Sequence, residues 1–452
     1  MSSEWKMVAI GSLCLGIFDG PHATPKKTSS GPIFLGISSL NNGQLDLSTT
    51  EHLSEDDFVK WTKRVVPQAG DIVFSYETRL GQVAIIPEGL RCCLGRRMAL
   101  MRVDPVKITP DYLLYAYLSP EFQEVIRKRT IHGSTVDRIP LTEFGSFPIS
   151  VPPLNVQKEV VGILRALDSR ITLLRETNTT LEAIAKALFK SWFVDFDPVR
   201  AKASQLAPEG MDAATAALFP DSLEESELGL VPRGWNLVPF GELLTHTIGG
   251  DWGDEVSGDK NDICVAIVRG TDIPDLQSGT ANRVPTRYTS AKKLATRALQ
   301  DGDLVLEVSG GSKDQPTGRS IYLTDALLGQ FDCPVVPASF CRLLRPIDGR
   351  VGLLLAWHLT YIYAIGKTWE YQNQSTGIAN FQTTYFLENE LVVMPPAAVL
   401  DAFAEVIRPI VDRIYLSKIR VLTQLRDTLL PRLISGQLRL PEAEVQIAEA
   451  CA

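Results

Sequence analysis

The chain has 452 residues and 45% hydrophobic content, enough for two or three domains with real cores. Its formal net charge of -8 argues against a nonspecific polyanion binder, which needs surplus Lys and Arg to neutralise phosphate, although a local basic face stays open. Seven cysteines (Cys14, Cys92, Cys93, Cys264, Cys333, Cys341, Cys451) show neither a CxxC pair nor companion histidine spacing, so no zinc site or disulfide framework is signalled, and a reducing cytoplasm is the expected setting.

In chain order, Trp5 opens an apolar strand that runs to Gly11. Met7 to Phe18 resembles the apolar core of a signal peptide, but its counterpart from Leu237 lies mid-chain, where no signal peptide acts. Short β-patterned runs follow between Gly, Pro and Asn turns, among them Ile33–Ile37, the Gly70-Asp71-Ile72-Val73 turn and strand, and Val83–Ile86. A helix from Tyr112 to Arg129 is expected to close this first head, residues 1–151. After the Pro152-Pro153 breaker, a helix is predicted from about Val156 to Phe196. Its seam places Val160, Leu164, Leu167, Ile171, Leu174, Asn178, Leu181, Ala185, Leu188 and Trp192 alternately four and three apart, a coiled-coil pattern with Asn178 as the polar register device.

Residues 197–233 form an acidic, Ala- and Pro-rich linker (Glu209, Asp212, Asp221, Glu224, Glu225, Glu227), predicted to be a surface connector with a short helix at 213–218. The pattern then starts again. Trp235 to Gly241, Gly302-Asp303-Leu304-Val305 and Pro395-Pro396 repeat the first copy at offsets of 230, 232 and 243, and delimit a second head at residues 234–395. Val351 to Ile365, too short and too interrupted for a membrane span, reads as a buried helix. A second seamed helix is predicted from Leu400 to Leu433 within residues 396–436. Phe403, Ile407, Ile410 and Ile414 carry its seam, then Leu422, Leu425 and Leu429, with an eight-residue hitch between. Gly436 is the expected stop, and residues 437–452 a polar, frayed tail. The class predicted is α+β, a pseudo-twofold repeat with two similar heads and two long helices.

Catalytic patterns are missing. The five histidines (His22, His52, His132, His246, His358) have no metal spacing, Gly310-Gly311-Ser312-Lys313 lacks the first glycine of a P-loop, and no dinucleotide fingerprint follows a strand. Asp251, Asp254 and Glu255 read as a solvated loop rather than a cation site. What the heads do offer are polar loops suited to base edges, which planar guanidinium and amide groups match. The first head presents Lys26, Lys27, Tyr76, Thr78, Arg79, Arg96, Arg97, Arg127–Arg129, Ser134 and Thr135. The second presents Arg269, Lys292, Lys293, Ser312, Lys313, Arg319, Gln374, Ser375 and Thr376. Taken singly each is an ordinary surface residue; the recurrence of such loops in both copies raises them as groups.

Three stretches carry a family resemblance. Pro152 to Phe196, ending Leu188-Phe189-Lys190-Ser191-Trp192-Phe193-Val194-Asp195-Phe196, resembles the central region of Type I restriction-modification specificity subunits. Leu218-Phe219-Pro220-Asp221-Ser222 through Pro232-Arg233-Gly234-Trp235, and Leu425 to Gly436, are similar to the same family. The resemblance implies two target-recognition domains, each reading one half of a split site in double-stranded DNA. It implies antiparallel helices that set the spacing and dock two methyltransferase subunits, with restriction subunits added in a nuclease complex. It also implies a non-catalytic chain whose partners bind S-adenosylmethionine, ATP and Mg. Two other readings stay open: a fragment of a fused restriction-methylation enzyme, which would need an Asn/Asp-Pro-Pro-aromatic motif not found here, and a coiled-coil scaffold that binds only protein.

Overall fold

Two glycines held at positive φ, Gly70 (+84°) and Gly302 (+88°), each turn the chain into a buried strand, and around each turn the same sheet is assembled. In the computed structural model, which describes residues 5–134, 136–279, 283–312, 314–375, 378–416 and 418–451, the chain divides into two compact units. One comprises Met1–Ile171 with Val421–Ala452, the other Thr172–Arg420.

The first head contains β1 (Lys6–Ala9), β2 (Cys14–Asp19), β3 (Lys27–Leu35), β4 (Glu51–Leu53), β5 (Ile72–Ser75), β6 (Val83–Ile85), β7 (Cys92–Leu94) and β8 (Met98–Val103). Helices α1 (Pro110–Leu118) and α2 (Pro120–Arg129) follow, then β9 (Pro148–Val151). An antiparallel sheet of order β2-β8-β5-β6 packs with a sheet of order β4-β3-β7, in which β3 and β7 run parallel; β9 pairs with β1 and closes the head. Strand β5 is buried along its whole length, as its unbroken Ile-Val-Phe run requires.

From the Pro152-Pro153 breaker rises α3 (Leu154–Phe193), 40 residues long. Its seam residues Leu164, Leu167, Ile171, Leu174, Asn178 and Ala185 are buried, and Leu181 and Leu188 half-buried. In the second unit come α4 (Ala213–Ala217) and the hairpin β10 (Leu223–Ser226) and β11 (Gly229–Pro232). The second head then has β12 (Asn236–Pro239), β13 (Leu244–Gly249), β14 (Ile263–Val268), β15 (Thr286–Thr289), β16 (Leu304–Glu307), β17 (Ser309–Gly310), β18 (Ser320–Tyr322), β19 (Val335–Pro337) and β20 (Cys341–Pro346). It is completed by α5 (Gly349–Ala364), β21 (Gln372–Ser375), β22 (Ile378–Phe381) and β23 (Leu391–Met394). The sheets repeat those of the first head: β13-β20-β16-β18, β15-β14-β19 with its one parallel pair, and β12 closed by β23.

Helices α6 (Ala397–Tyr415), α7 (Ile419–Ile434) and α8 (Leu440–Cys451) end the chain. Within the second unit α6 runs antiparallel to α3: the Asn178 amide donates to the Ile414 carbonyl at 3.5 Å, whereas Phe193, further along α3, meets Phe403, earlier in α6, ring to edge at 4.9 Å. Within the first unit Arg426 of α7 pairs with Asp168 of α3 at 2.9 Å, and the Tyr115 hydroxyl donates to the same carboxylate at 2.7 Å. Ile407, Ile414, Leu422 and Leu429 are buried, Ile410 and Leu425 half-buried.

Four expectations need correction. The helix expected from Tyr112 to Arg129 is two helices, because Ser119 stands before Pro120, takes an extended ψ of 145° and caps both ends. The second long helix is likewise two, broken after Leu416. An eight-residue step from Ile414 overshoots the heptad, and restarting the helix turns Leu422 back to the buried side. The tail is not frayed: Gly436 (φ +77°) stops α7 as expected, but α8 follows, anchored by buried Leu438 and Ala443. Nor is the linker merely a surface connector. Phe219 packs edge-on to Trp192 at 5.1 Å, and Val231 and Trp235 are buried in the same cluster. Among the described residues no helix is long and apolar enough to cross a membrane.

Candidate nucleic-acid interface

The Gly-Asp turns are structural clamps. The Asp71 carboxylate takes two hydrogen bonds from Arg102 of β8, at 2.9 and 2.7 Å, and one from the Gln68 amide at 2.8 Å. Asp303 does the same with Arg345 of β20, at 2.8 and 2.7 Å, and with the Gln300 amide at 2.7 Å. Each arginine also reaches a backbone carbonyl, Val66 in one head and Ala298 in the other. Both aspartates are buried, so these charges hold strand to strand; the candidate residues lie on the chain that leaves the far end of β5 and β16.

In the first head that chain carries Tyr76, Thr78 and Arg79. Tyr76 is buried, and burial pushes its phenol up to about 12. Thr78 is exposed and sits in the left-handed region at φ +70°. Its hydroxyl accepts from Arg97 at 3.1 Å, and Arg97, itself at φ +73°, also pairs with Glu77 at 3.3 Å. Arg96 is exposed beside them. Arg79 is exposed and donates to the Ile37 carbonyl at 3.0 Å. These five residues share one edge. Of the other candidates, Lys27 is tied to Glu51, Lys26 and Ser134 are exposed, Arg127 is paired with Glu124, and Thr135 lies outside the described residues.

The second head treats its candidates differently. Arg319 holds buried Glu307, its Nε donating at 2.9 Å, and Arg269 clamps Asp272 at 2.9 and 2.7 Å; both guanidinium groups are committed inward. Lys293 pairs with Asp251 at 2.8 Å, so Asp251 is the counter-ion of a lysine, and among the described residues no group of three or more His, Cys, Asp or Glu is placed to hold a metal ion. The Ser312 hydroxyl accepts from the Asp314 amide at 3.2 Å. Gln374 and Ser375 lie on β21, with only their backbone described, and Lys313 and Thr376 fall outside the described residues.

Beyond these, each head has an antiparallel edge that residue type alone does not reveal. In the second head β17, β22 and β21 form a three-stranded sheet with Ser309 opposite Asn380 and Asn373 opposite Asn380. In the first head isolated bridges repeat the arrangement, Glu77 opposite Arg138 and Ile131 opposite Arg138. Strand alternation turns Arg138 and Asn380 outward while Ile139 and Phe381 point into the core. An arginine or asparagine in a loop-like stretch carries no signal until this register is known.

Each of the two units thus carries one head and helices of its own. Residues 2–183, the first head with most of α3, match the Type I restriction modification DNA specificity domain. The chain is 26% identical over 383 residues to the Type I restriction enzyme HindI specificity subunit of Haemophilus influenzae, covering 73% of this chain and 78% of the relative. It is 24% identical over 399 residues to the MjaIX specificity subunit of Methanocaldococcus jannaschii, covering 86% and 82%. The crystal structure of a Type I restriction-modification S subunit from M. genitalium superposes with a TM-score of 0.57 at 15% identity, over 96% of this chain and 97% of that one, so the fold is shared. The second head, outside the domain match, is tied to the first by its repeated sheets and clamps.

Proposed function

We propose that this chain is the DNA sequence-specificity subunit of a Type I restriction-modification complex, and that it performs no catalysis of its own. Each head reads one half of a bipartite site in double-stranded DNA. The helices hold the heads at a fixed spacing and dock two methyltransferase subunits, with restriction subunits joining in a nuclease complex. S-adenosylmethionine, ATP and Mg belong on those partners, in the cytoplasm. One observation carries the reading: two heads share topology down to the Asp71–Arg102 and Asp303–Arg345 clamps, yet present unlike polar edges. Conserving the frame while changing the edge is what two readers of different half-sites require, since phosphate contacts position a protein and base-edge contacts specify the sequence.

Exchanging residues 1–151 for the matching head of a relative, and mapping the sequence methylated by the complex with a cognate methyltransferase subunit, tests this. One half-site is expected to change and the other to stay; a change in both ends the modular reading. Within the first head Arg79→Ala is expected to relax recognition in that half alone. The spacer function has its own test. One heptad added to each of α3 and the α6–α7 stem, at matching levels, keeps the seam in phase and moves a head by about 10 Å, roughly three base pairs. The methylated sequence should keep both half-sites and gain spacer; an unaltered spacer in an active complex would assign the distance to the partners.

A further inference from the structure

The repeated register allows the reading edges of the two heads to be matched residue by residue. The Ile139 amide donates to the Tyr76 carbonyl at 2.8 Å, and at the same place in the second head the Phe381 amide donates to the Val308 carbonyl at 2.9 Å. Across the other side of that strand the Tyr76 amide donates to the Arg97 carbonyl at 3.1 Å, and the Val308 amide to the Phe340 carbonyl at 2.9 Å. With the bridge partners, this equates Arg138 with Asn380, Ile131 with Asn373, Glu77 with Ser309, and Arg97 with Phe340.

The chemistry at equated places is opposite. In the first head Arg138 is exposed and its guanidinium makes no hydrogen bond or ion pair with the described residues, Arg96 is exposed next to Arg97, and Arg97 is only partly engaged by Glu77. In the second head the cation places hold Asn380, whose Oδ1 accepts from the Ser309 hydroxyl at 2.9 Å and whose amide NH2 has no partner among the described residues. Asn373 lies exposed directly opposite, and Phe340 is 64% exposed. Arg319 does not supply a free charge here, since it is held by Glu307. The major groove admits a two-stranded β-ribbon, and β21 and β22 pair antiparallel as one. There guanidinium forks match the O6 and N7 acceptors of guanine, side-chain amides match N6 and N7 of adenine, and an aromatic ring packs on the thymine methyl.

We propose that the two edges divide the base types between them: the first head reads a G·C pair through Arg138, and the second reads an A·T pair through Asn380 and Asn373, with Phe340 against the thymine methyl. This deepens the specificity-subunit reading and rests on it.

The test uses the full chain in complex with its cognate methyltransferase subunit and reads every methylated site on unmethylated genomic DNA. Wild type is expected to give one bipartite motif with a fixed G·C pair in one half and a fixed A·T pair in the other. Arg138→Ala is expected to lose roughly 5- to 150-fold of the discrimination at that G·C pair only, and Arg138→Gln to shift the preference there towards A·T. Asn380→Ala and Phe340→Ser are expected to relax the A·T pair in the opposite half. The untouched half-site, still read in each variant, shows that the complex has folded. An unchanged motif in Arg138→Ala, or a uniform loss of methylation at all sequences as for a phosphate contact, overturns the assignment. A wild-type complex that methylates without any bipartite motif fails the parent reading instead.

Discussion

Where the closing strand of each head begins, the two copies solve one packing problem with opposite chemistry. The residue before β9 is Phe147 and the residue before β23 is Glu390; each offers its carbonyl to the opening segment, accepting from the Ile10 amide at 2.9 Å and the Phe240 amide at 2.8 Å. Phe147 then stacks into a ring cluster, Phe74 to Phe144 at 4.6 Å and Phe144 to Phe147 at 5.3 Å, with the Arg129 guanidinium over its outer face. Glu390 is just as buried but charged. Burial pushes its carboxyl up, yet His358 at 2.7 Å, Lys367 at 2.7 Å and the Tyr371 hydroxyl outweigh that and hold its pKa at about 2. The backbone bonds fix the fold, and the side chain is interchangeable provided its polar atoms are satisfied.

The largest expected effect lies at this difference. Glu390→Ala strips the counter-ion from Lys367 and the hydrogen-bond partner from His358 and should cost about 3–5 kcal/mol, with hydrogen exchange opening the second head and sparing the first. Equal loss of protection in both heads would show that the heads do not open separately. The Gly-Asp clamps make the converse test. Asp71→Ala and Asp303→Ala each break the same buried pair, so each should cost about 3 kcal/mol, confined to its own head; a twofold difference between them would show that the repeated geometry hides unequal energetics.

Acid should separate the heads without mutation. Glu390 is depressed below its ordinary value of 4.5, so its contribution is fully present above that pH and is lost as pH falls through about 2. Urea titrations from pH 6 to pH 2.5, followed by exchange in each head, should show the second head losing about 2–3 kcal/mol that Phe147 cannot lose in the first. In the stem, Asn178→Ala removes donors to the Ser278 and Ile414 carbonyls, at 3.3 and 3.5 Å, and should lower stability by about 1 kcal/mol, read as a shift in denaturation midpoint. The smallest effect is a gain. Thr78 stands in the left-handed region where the second head has Gly310, so Thr78→Gly should relieve about 1 kcal/mol of backbone strain.

Repetition, seam and punctuation were legible along the chain because each is a local pattern. The paired tryptophans, the Gly-Asp turns and the Pro-Pro breakers gave the two heads, and the four-three spacing gave α3 within a few residues. Local pattern also foresaw the hitch after Ile414, though not that the helix would break there. The Ser119-Pro120 junction could have been read from proline geometry, and an apolar helix on either side disguised it.

Contacts between residues far apart in sequence belong to the tertiary structure. No spacing tells that Arg319 is consumed by Glu307 while Arg138 stays exposed, since both are arginines among polar neighbours; the pairing register and the depth of the carboxylate decide it. The linker is similar: its acids suggest a solvated connector, and only the aromatic cluster around Trp192 and Trp235 supplies the apolar surface that draws in Phe219 and Val231. Periodicity records which face of an element is apolar. Which charge is left free to meet a ligand depends on the partners the fold brings to it, as it brings Glu307, 12 residues earlier in the chain, to Arg319.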